Sequence, residues 1–144
     1  MNKITHKLAI LIATLFLFAA QAPAMDMSHD GDAIHTGKVD GYTMDYRMMD
    51  MRENMKKMGH MEGMDMKATH HLMVTVKGPN GPVKGQAGYM VTGPDGKTQK
   101  AMCMAMGDGF GADISMMNPG TYTIKTKVTA DGKNLTDEFT YDLK

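Results

Sequence analysis

Methionine is the residue whose number and spacing here could do chemistry. The 144-residue chain carries 19 Met against four Phe and no Trp. Between Gly41 and Met66 the large aliphatic residues are Met44, Met48, Met49, Met51, Met55, Met58, Met61, Met64 and Met66, with no Leu, Ile or Val among them. Packing alone would favour Leu or Ile, whose rotamers are better defined, so the thioether itself is being selected. Softness as a ligand, adaptability at a surface and oxidisability separate Met from Leu. Soft sulfur ligands select Cu(I) among the common biological metals, and Ag(I), softer still, would bind the same groups. A thioether also has no proton to lose, and it forms no disulfide in an oxidising compartment.

Met44, Met48, Met51 and Met55 recur at steps of four and three, a helical stripe. Residues at those spacings lie about 5–6 Å apart at Cβ, so these four are candidate ligands. Met61, Met64 and Met66 have the Met-x-x-Met-x-Met spacing of a loop that wraps an ion. His60, and His70 and His71 with Met73 just beyond, add imidazole, which suits Cu(II) as well as Cu(I). The run Ala101–Met106 (AMCMAM) alternates Met102, Met104 and Met106 on one strand face with Ala101, Cys103 and Ala105 on the other. Either the Met face packs inward and Cys103 stands outside, or the small face packs inward and the thioethers stand outside, where Met116 and Met117 could join them. Met102, Cys103 and Met104 complete the candidate ligands. The plain alternatives are that Met fills irregular core gaps and that a lone Cys is a small buried hydrophobe. His29 and His35, in an acidic lead, are expected to be solvated tail.

Three stretches must position these residues. Lys3 and Lys7 lead into the 13-residue apolar run Leu8–Ala20, and Ala22-Pro23-Ala24 supplies a small-x-small cleavage site. That is the pattern of a signal peptide over residues 1–24. It is too short for a membrane span, which needs ~20 residues. No Cys follows it to carry a lipid anchor, so export to a bacterial periplasm is expected. Residues 25–69 form a Met/His-rich segment, with a mobile lead over Met25–Lys38 and one amphipathic helix from about 43 to 58. Asp40 and Asp45 near its start and Lys56 and Lys57 near its end suit the helix dipole, and Gly59 suits the C′ position.

Residues 70–144 read as strands. Leu72, Val74 and Val76 share a face, as do Ala87, Tyr89 and Val91, then Tyr122, Ile124, Thr126 and Val128, then Leu135, Phe139, Tyr141 and Leu143. Turn signals at Gly78–Pro82, Gly93–Gly96, Asn118-Pro119-Gly120 and Asp131-Gly132 separate them, with a Gly-rich break at Gly107–Gly111. The expected fold is mainly β: a small Ig-like antiparallel β-sandwich of six to seven strands preceded by one Met-rich helix.

Several function classes drop out. Sixteen Lys+Arg balance sixteen Asp+Glu, so no basic field points to nucleic acid. A single Cys excludes an internal disulfide framework and any CxxC site. Neither GxSxG nor HExxH is present, and the expectation is a protein that is not an enzyme.

The stretches GQAGYMVTGPDGK, AMCMAMGDGFGAD and NPGTYTIKTKV resemble the exported β-sandwich domains called YtkA-like, related to the FixH-like group. The resemblance covers about His70 to Lys144. It implies an Ig-like sandwich in an exported protein linked to copper handling or cytochrome oxidase assembly. The preceding segment resembles, in composition only, the Met/His-rich segments of periplasmic copper-resistance proteins. The expected function is sequestration or transfer of Cu(I) or Ag(I), with Cu(II) as a further ion and a periplasmic or inner-membrane copper protein as partner. The alternative is a module whose Met-rich helix docks on another exported or membrane protein.

Overall fold

The computed structural model describes residues 31–57, 59 and 67–144. The expected signal peptide, His29, and the candidate ligands His60, Met61, Met64 and Met66 lie outside the described residues. In chain order the elements are β1 (Asp32–Val39), β2 (Tyr42–Asp50), α1 (Met51–Lys57), β3 (His70–Gly78), β4 (Gly81–Pro82), β5 (Gly85–Thr92), β6 (Thr98–Met102), β7 (Met104–Met106), β8 (Gly109–Ile114), β9 (Gly120–Ala130) and β10 (Lys133–Leu143). They form two antiparallel sheets. The first runs β1-β2-β3-β8-β7 with β4 beside β3, and the second runs β10-β9-β5-β6. The architecture is the mainly β, Ig-like sandwich that the strand spacing predicts.

Period-2 alternation builds the interior. Leu72, Val74 and Val76 of β3 meet Tyr89 and Val91 of β5, Ile124 and Val128 of β9, and Leu135 of β10 in one buried cluster. Each such side chain contributes roughly 1.5–3 kcal/mol on full burial. Tyr89 ties the sheets together, its hydroxyl directed at the Leu72 carbonyl (3.2 Å) and the Phe110 carbonyl (3.4 Å).

The segment expected to be helical from 43 to 58 departs from that expectation. Residues 42–50 form β2, pairing with β1 on one side and with β3 from Thr43↔Lys77 to Asp50↔His70 on the other. Among the described residues of that segment, Met51–Lys57 is the helical part. The reason is a degeneracy of pattern: Met44 and Met48 are four apart, which satisfies both a helical stripe and a strand alternation. Tyr42 and Tyr46 fill the intervening even positions, and all four side chains are buried. Where the helix does form, Asp50 caps it. Its Oδ1 accepts the Arg52 N–H at 2.9 Å, satisfying a donor that the first turn leaves open. Gly59, at φ +71°, takes the left-handed conformation expected of a C′ residue.

Among the described residues the sandwich accordingly includes Asp32 onward and not only His70 onward, and the lead over 32–38 expected to be mobile is strand β1. Asp40 and Gly41, both at positive φ, turn β1 into β2, as Asp131 and Gly132 turn β9 into β10. Two-residue Asp-Gly loops of this kind match the twist of a hairpin. His35 is a seam residue and not solvated tail: its ring stacks on Phe139 at 4.2 Å and its Nε2 lies 3.2 Å from Asp137.

Two smaller departures concern the strand expected over Lys97–Met106 and the Gly-rich break after it. The strand is interrupted at Cys103, so that β6 joins one sheet and β7 the other. Cys103 stays tied to β5 through its N–H, which donates to the Ala87 carbonyl at 2.9 Å. Gly109 and Gly111, expected in the break, belong to β8, where Phe110, Ala112 and Ile114 point into the core.

Candidate soft-metal site

The outward-facing residues of the first sheet follow from the inward-facing ones. Because Leu72, Val74 and Val76 face the core, His71, Met73 and Thr75 project from the opposite face of β3. On β8 the inward Phe110, Ala112 and Ile114 leave Gly109, Gly111 and Asp113 outward. Register then sets the neighbours: His71 lies opposite Asp113 and Met49, Met73 opposite Gly111, and Met104 and Met106 of β7 opposite Gly111 and Gly109.

Gly111 is the centre of this face. A Cβ built on it would overlap the Met73 sulfur, lie 2.7 Å from His71 Nε2 and lie 3.0 Å from Met106 Sδ. One imidazole nitrogen and two thioether sulfurs thus border the same small space, held open by the missing side chain. Glycine inside a strand commonly marks such a close approach.

His71 is oriented for ligation. Its Nδ1 lies 2.6 Å from Asp113 Oδ1. An ionised carboxylate only accepts hydrogen bonds, so Nδ1 carries the proton and Nε2 presents its lone pair toward Gly111. A carboxylate behind a histidine is the usual outer-shell partner of a metal-bound imidazole, fixing tautomer and ring orientation. Met73 is 2% exposed yet lies outside the hydrophobic core cluster. Its burial belongs to this outer face.

The donor set is soft. Among the described residues no group of three or more His, Cys, Asp or Glu side chains converges as a metal cage. A site of one imidazole and two thioethers favours Cu(I) or Ag(I) over the harder divalent ions.

The candidate ligands from the sequence are divided by the fold. Met44 and Met48 are fully or nearly fully buried in the core, away from the outer face. Met51 and Met55 lie in α1, half-buried. His70 and His71, adjacent on one strand, point to opposite faces and cannot share an ion. His70 is 2% exposed, with Nδ1 2.7 Å from Thr69 Oγ1 and Nε2 3.6 Å from Asp50 Oδ2. Burial lowers its pKa, with the Asp50 carboxylate opposing that shift.

Of the AMCMAM run, the small face is the inner one for Ala101 and Cys103, which pack against the core. Met102 projects from the second sheet and Met104 from the first, both exposed. Cys103 is pushed up to about 11 by burial, which outweighs the lowering effect of the Tyr89 hydroxyl, and it faces away from the His71–Gly111 face. Met116 is core, and Met117 is exposed.

Among the described candidates His71 is thus the one that the fold places at the convergence, with Met104 directly opposite Gly111. Met73 and Met106, present in the sequence patterns but not counted as ligands, stand beside it. Asp113 and Gly111 were not singled out; the Gly-Phe-Gly run in β8, small outward and large inward, is the sequence signal that could have found the open space.

No family model matches the chain, and no curated protein matches it. Among solved structures it is similar to a DUF4426 family protein from Pseudomonas aeruginosa PAO1, at 14% identity and a TM-score of 0.59, covering 76% of this chain and 96% of that one. It is also similar to a copper-bound variant of FetP from uropathogenic Escherichia coli strain F11, at 17% identity and a TM-score of 0.49, covering 79% and 95%. At these identities the likeness is one of fold. The YtkA-like resemblance has no matching family model behind it, and the β-sandwich is the part that stands.

Proposed function

We propose that this chain is an exported, non-catalytic protein that binds Cu(I) or Ag(I) at His71, Met73 and Met106 and sequesters or passes on the ion. The observation that carries this reading is the convergence of one imidazole nitrogen and two thioether sulfurs over Gly111, with Asp113 orienting the imidazole from behind. A thioether pair alone could fill a gap and a His71–Asp113 pair alone could support the strand pairing, but neither role requires the imidazole Nε2 to share one small space with both sulfurs. The leader over residues 1–24 supports export, and the reliance on Met with a single, inward-facing Cys suits an oxidising compartment. The docking alternative has less to stand on, since of the helix it needs over about 43–58 residues 43–50 are strand, with Met44 and Met48 in the core, and Met51–Lys57 is helical.

The site works by position. β3 supplies His71 and Met73, β7 supplies Met106, and β8 supplies the space at Gly111 and the carboxylate at Asp113. Three donors from β3 and β7, the two strands that flank β8, are carried on backbone held by the hydrogen-bond ladder, so little backbone ordering is left for binding to cost.

The test is anaerobic titration of the mature chain with Cu(I) against a chromogenic chelator, beside Gly111→Ala. The contacts a new Cβ would make are with side chains and not with backbone, and circular dichroism verifies that the variant folds. We expect the wild type to compete for one Cu(I) and Gly111→Ala to bind at least about tenfold more weakly, or ~1.4 kcal/mol. Failure of the wild type to compete would overturn the reading. Equal binding by the folded variant would move the site elsewhere.

A further inference from the structure

Among the described residues the exposed large apolar side chains are all methionines: Met102 at 76%, Met104 at 71% and Met117 at 55%. Met104 differs from the other two in its place. It lies in β7, the edge strand of the first sheet, directly opposite Gly111, and its alternation with the intervening Ala105 puts it on the same outer face as Met106. Directly opposed residues in an antiparallel pair have Cβ positions about 4.5–5.5 Å apart. Met104 therefore starts at the rim of the space bordered by His71 Nε2, Met73 Sδ and Met106 Sδ, yet its side chain projects into water. An unbranched thioether with three rotatable bonds can turn between water and that space without moving the backbone. Exposed side chains make such rotamer changes in picoseconds to nanoseconds.

We infer that Met104 is the exchange ligand of this site, the sulfur through which Cu(I) or Ag(I) enters from, and leaves to, a soft-donor partner at the open β7 edge. The inference rests on the metal-binding reading above and adds how the ion moves. An arriving ion is held first by the Met104 sulfur together with a thioether or thiolate of the donor. As the donor ligand leaves, Met106, Met73 and His71 replace it one bond at a time, and Met104 swings back to water. Departure is the reverse. The ion keeps its charge throughout, no electron moves, a thiolate donor takes a proton from water once released, and the ion never sheds all its ligands at once. A ligand that assists entry and exit equally changes the rate of exchange and leaves the affinity nearly untouched. The partner that fits this edge is a protein or small chelator presenting sulfur donors.

The experiment compares the full mature chain with Met104→Leu and Met102→Leu, each loaded with Cu(I). Equilibrium affinity is measured by chelator competition, and the rate of transfer to excess chelator by stopped flow. Met104→Leu should retain the affinity within about threefold and transfer at least tenfold more slowly. Met102→Leu, equally exposed on the other sheet, should match the wild type in both. Unchanged transfer by Met104→Leu in a protein that binds Cu(I) would overturn the inference and leave the site standing. A loss of affinity beyond tenfold would make Met104 a resident ligand and overturn it as well. Absence of Cu(I) binding in the wild type would remove the underlying reading, and this inference with it.

Discussion

The two faces of the first sheet use the same residue for opposite purposes. Facing inward, Met44 and Met48 of β2 sit in the core among Tyr46, Leu72 and Val74, where a flexible apolar side chain fills space between aromatic rings. Facing outward, Met73 and Met106 sit with His71 around Gly111, where two sulfurs and an imidazole nitrogen border one small space. Abundance of methionine therefore does not identify a ligand. What separates the two sets is the company kept: aromatic and branched aliphatic neighbours inside, an imidazole, a carboxylate and a bare glycine outside.

The sharpest way to break this comparison is to exchange sulfur for carbon on each face in turn. Met→Leu conserves volume and usually costs less than about 1.5 kcal/mol of stability. Met73→Leu with Met106→Leu should weaken Cu(I) binding at least about 1,000-fold, or ~4 kcal/mol. Met44→Leu with Met48→Leu should leave binding within about twofold, the conversion being the same tenfold-per-1.4 kcal/mol scale. Chelator competition on folded protein, verified by circular dichroism, checks both. Equal losses from the two pairs would erase the distinction between the faces.

A second prediction concerns the one thiol, which the fold assigns to the inner side. With Cys103 pushed from about 9 to about 11 by burial, the thiolate fraction near pH 8 should fall about 100-fold. Alkylation of the native protein should slow by at least that factor relative to the urea-unfolded chain. The sign for stability follows. A thiol whose folded pKa is raised contributes stability that is present below the unfolded value, and this is lost as pH rises from about 9 through about 11. Cys103→Ala should flatten that loss while leaving Cu(I) affinity unchanged. A Cu(I)-dependent protection of the wild-type thiol, with weakened binding in Cys103→Ala, would instead put sulfur from the inner side into the site.

The smallest effect tests the support behind His71. Asp113→Asn removes the carboxylate charge and keeps the shape, and outer-shell changes of this kind typically cost 10–100-fold in metal affinity. We expect about tenfold, since Asp113 is more than half exposed and solvent screens what it contributes. No change in affinity would mean that His71 needs no orienting partner.

Part of this was legible in the chain. The strands from His70 onward follow from strict alternation and from Pro/Gly turns, and the structure places them within a few residues of the expected limits. The first hairpin was missed although its signal is the same Asp-Gly dipeptide that marks the last one: Asp40-Gly41 and Asp131-Gly132 have nearly the same backbone conformation. The Met stripe masks it, because steps of four fit both periods; the intervening Tyr42 and Tyr46 are what favour the strand.

The sequence by itself determined which donor types are available, the inward faces of the later strands and the pattern of an export leader, because these depend on residue type and on neighbours a few positions away. Only the tertiary structure decided which methionines meet. His71, Met73, Met106, Gly111 and Asp113 come together through the pairing of β3 with β8 and of β8 with β7. A register shift of one residue would have turned each of these side chains to the other face. That register is set by contacts across some forty residues of chain, which no local spacing encodes.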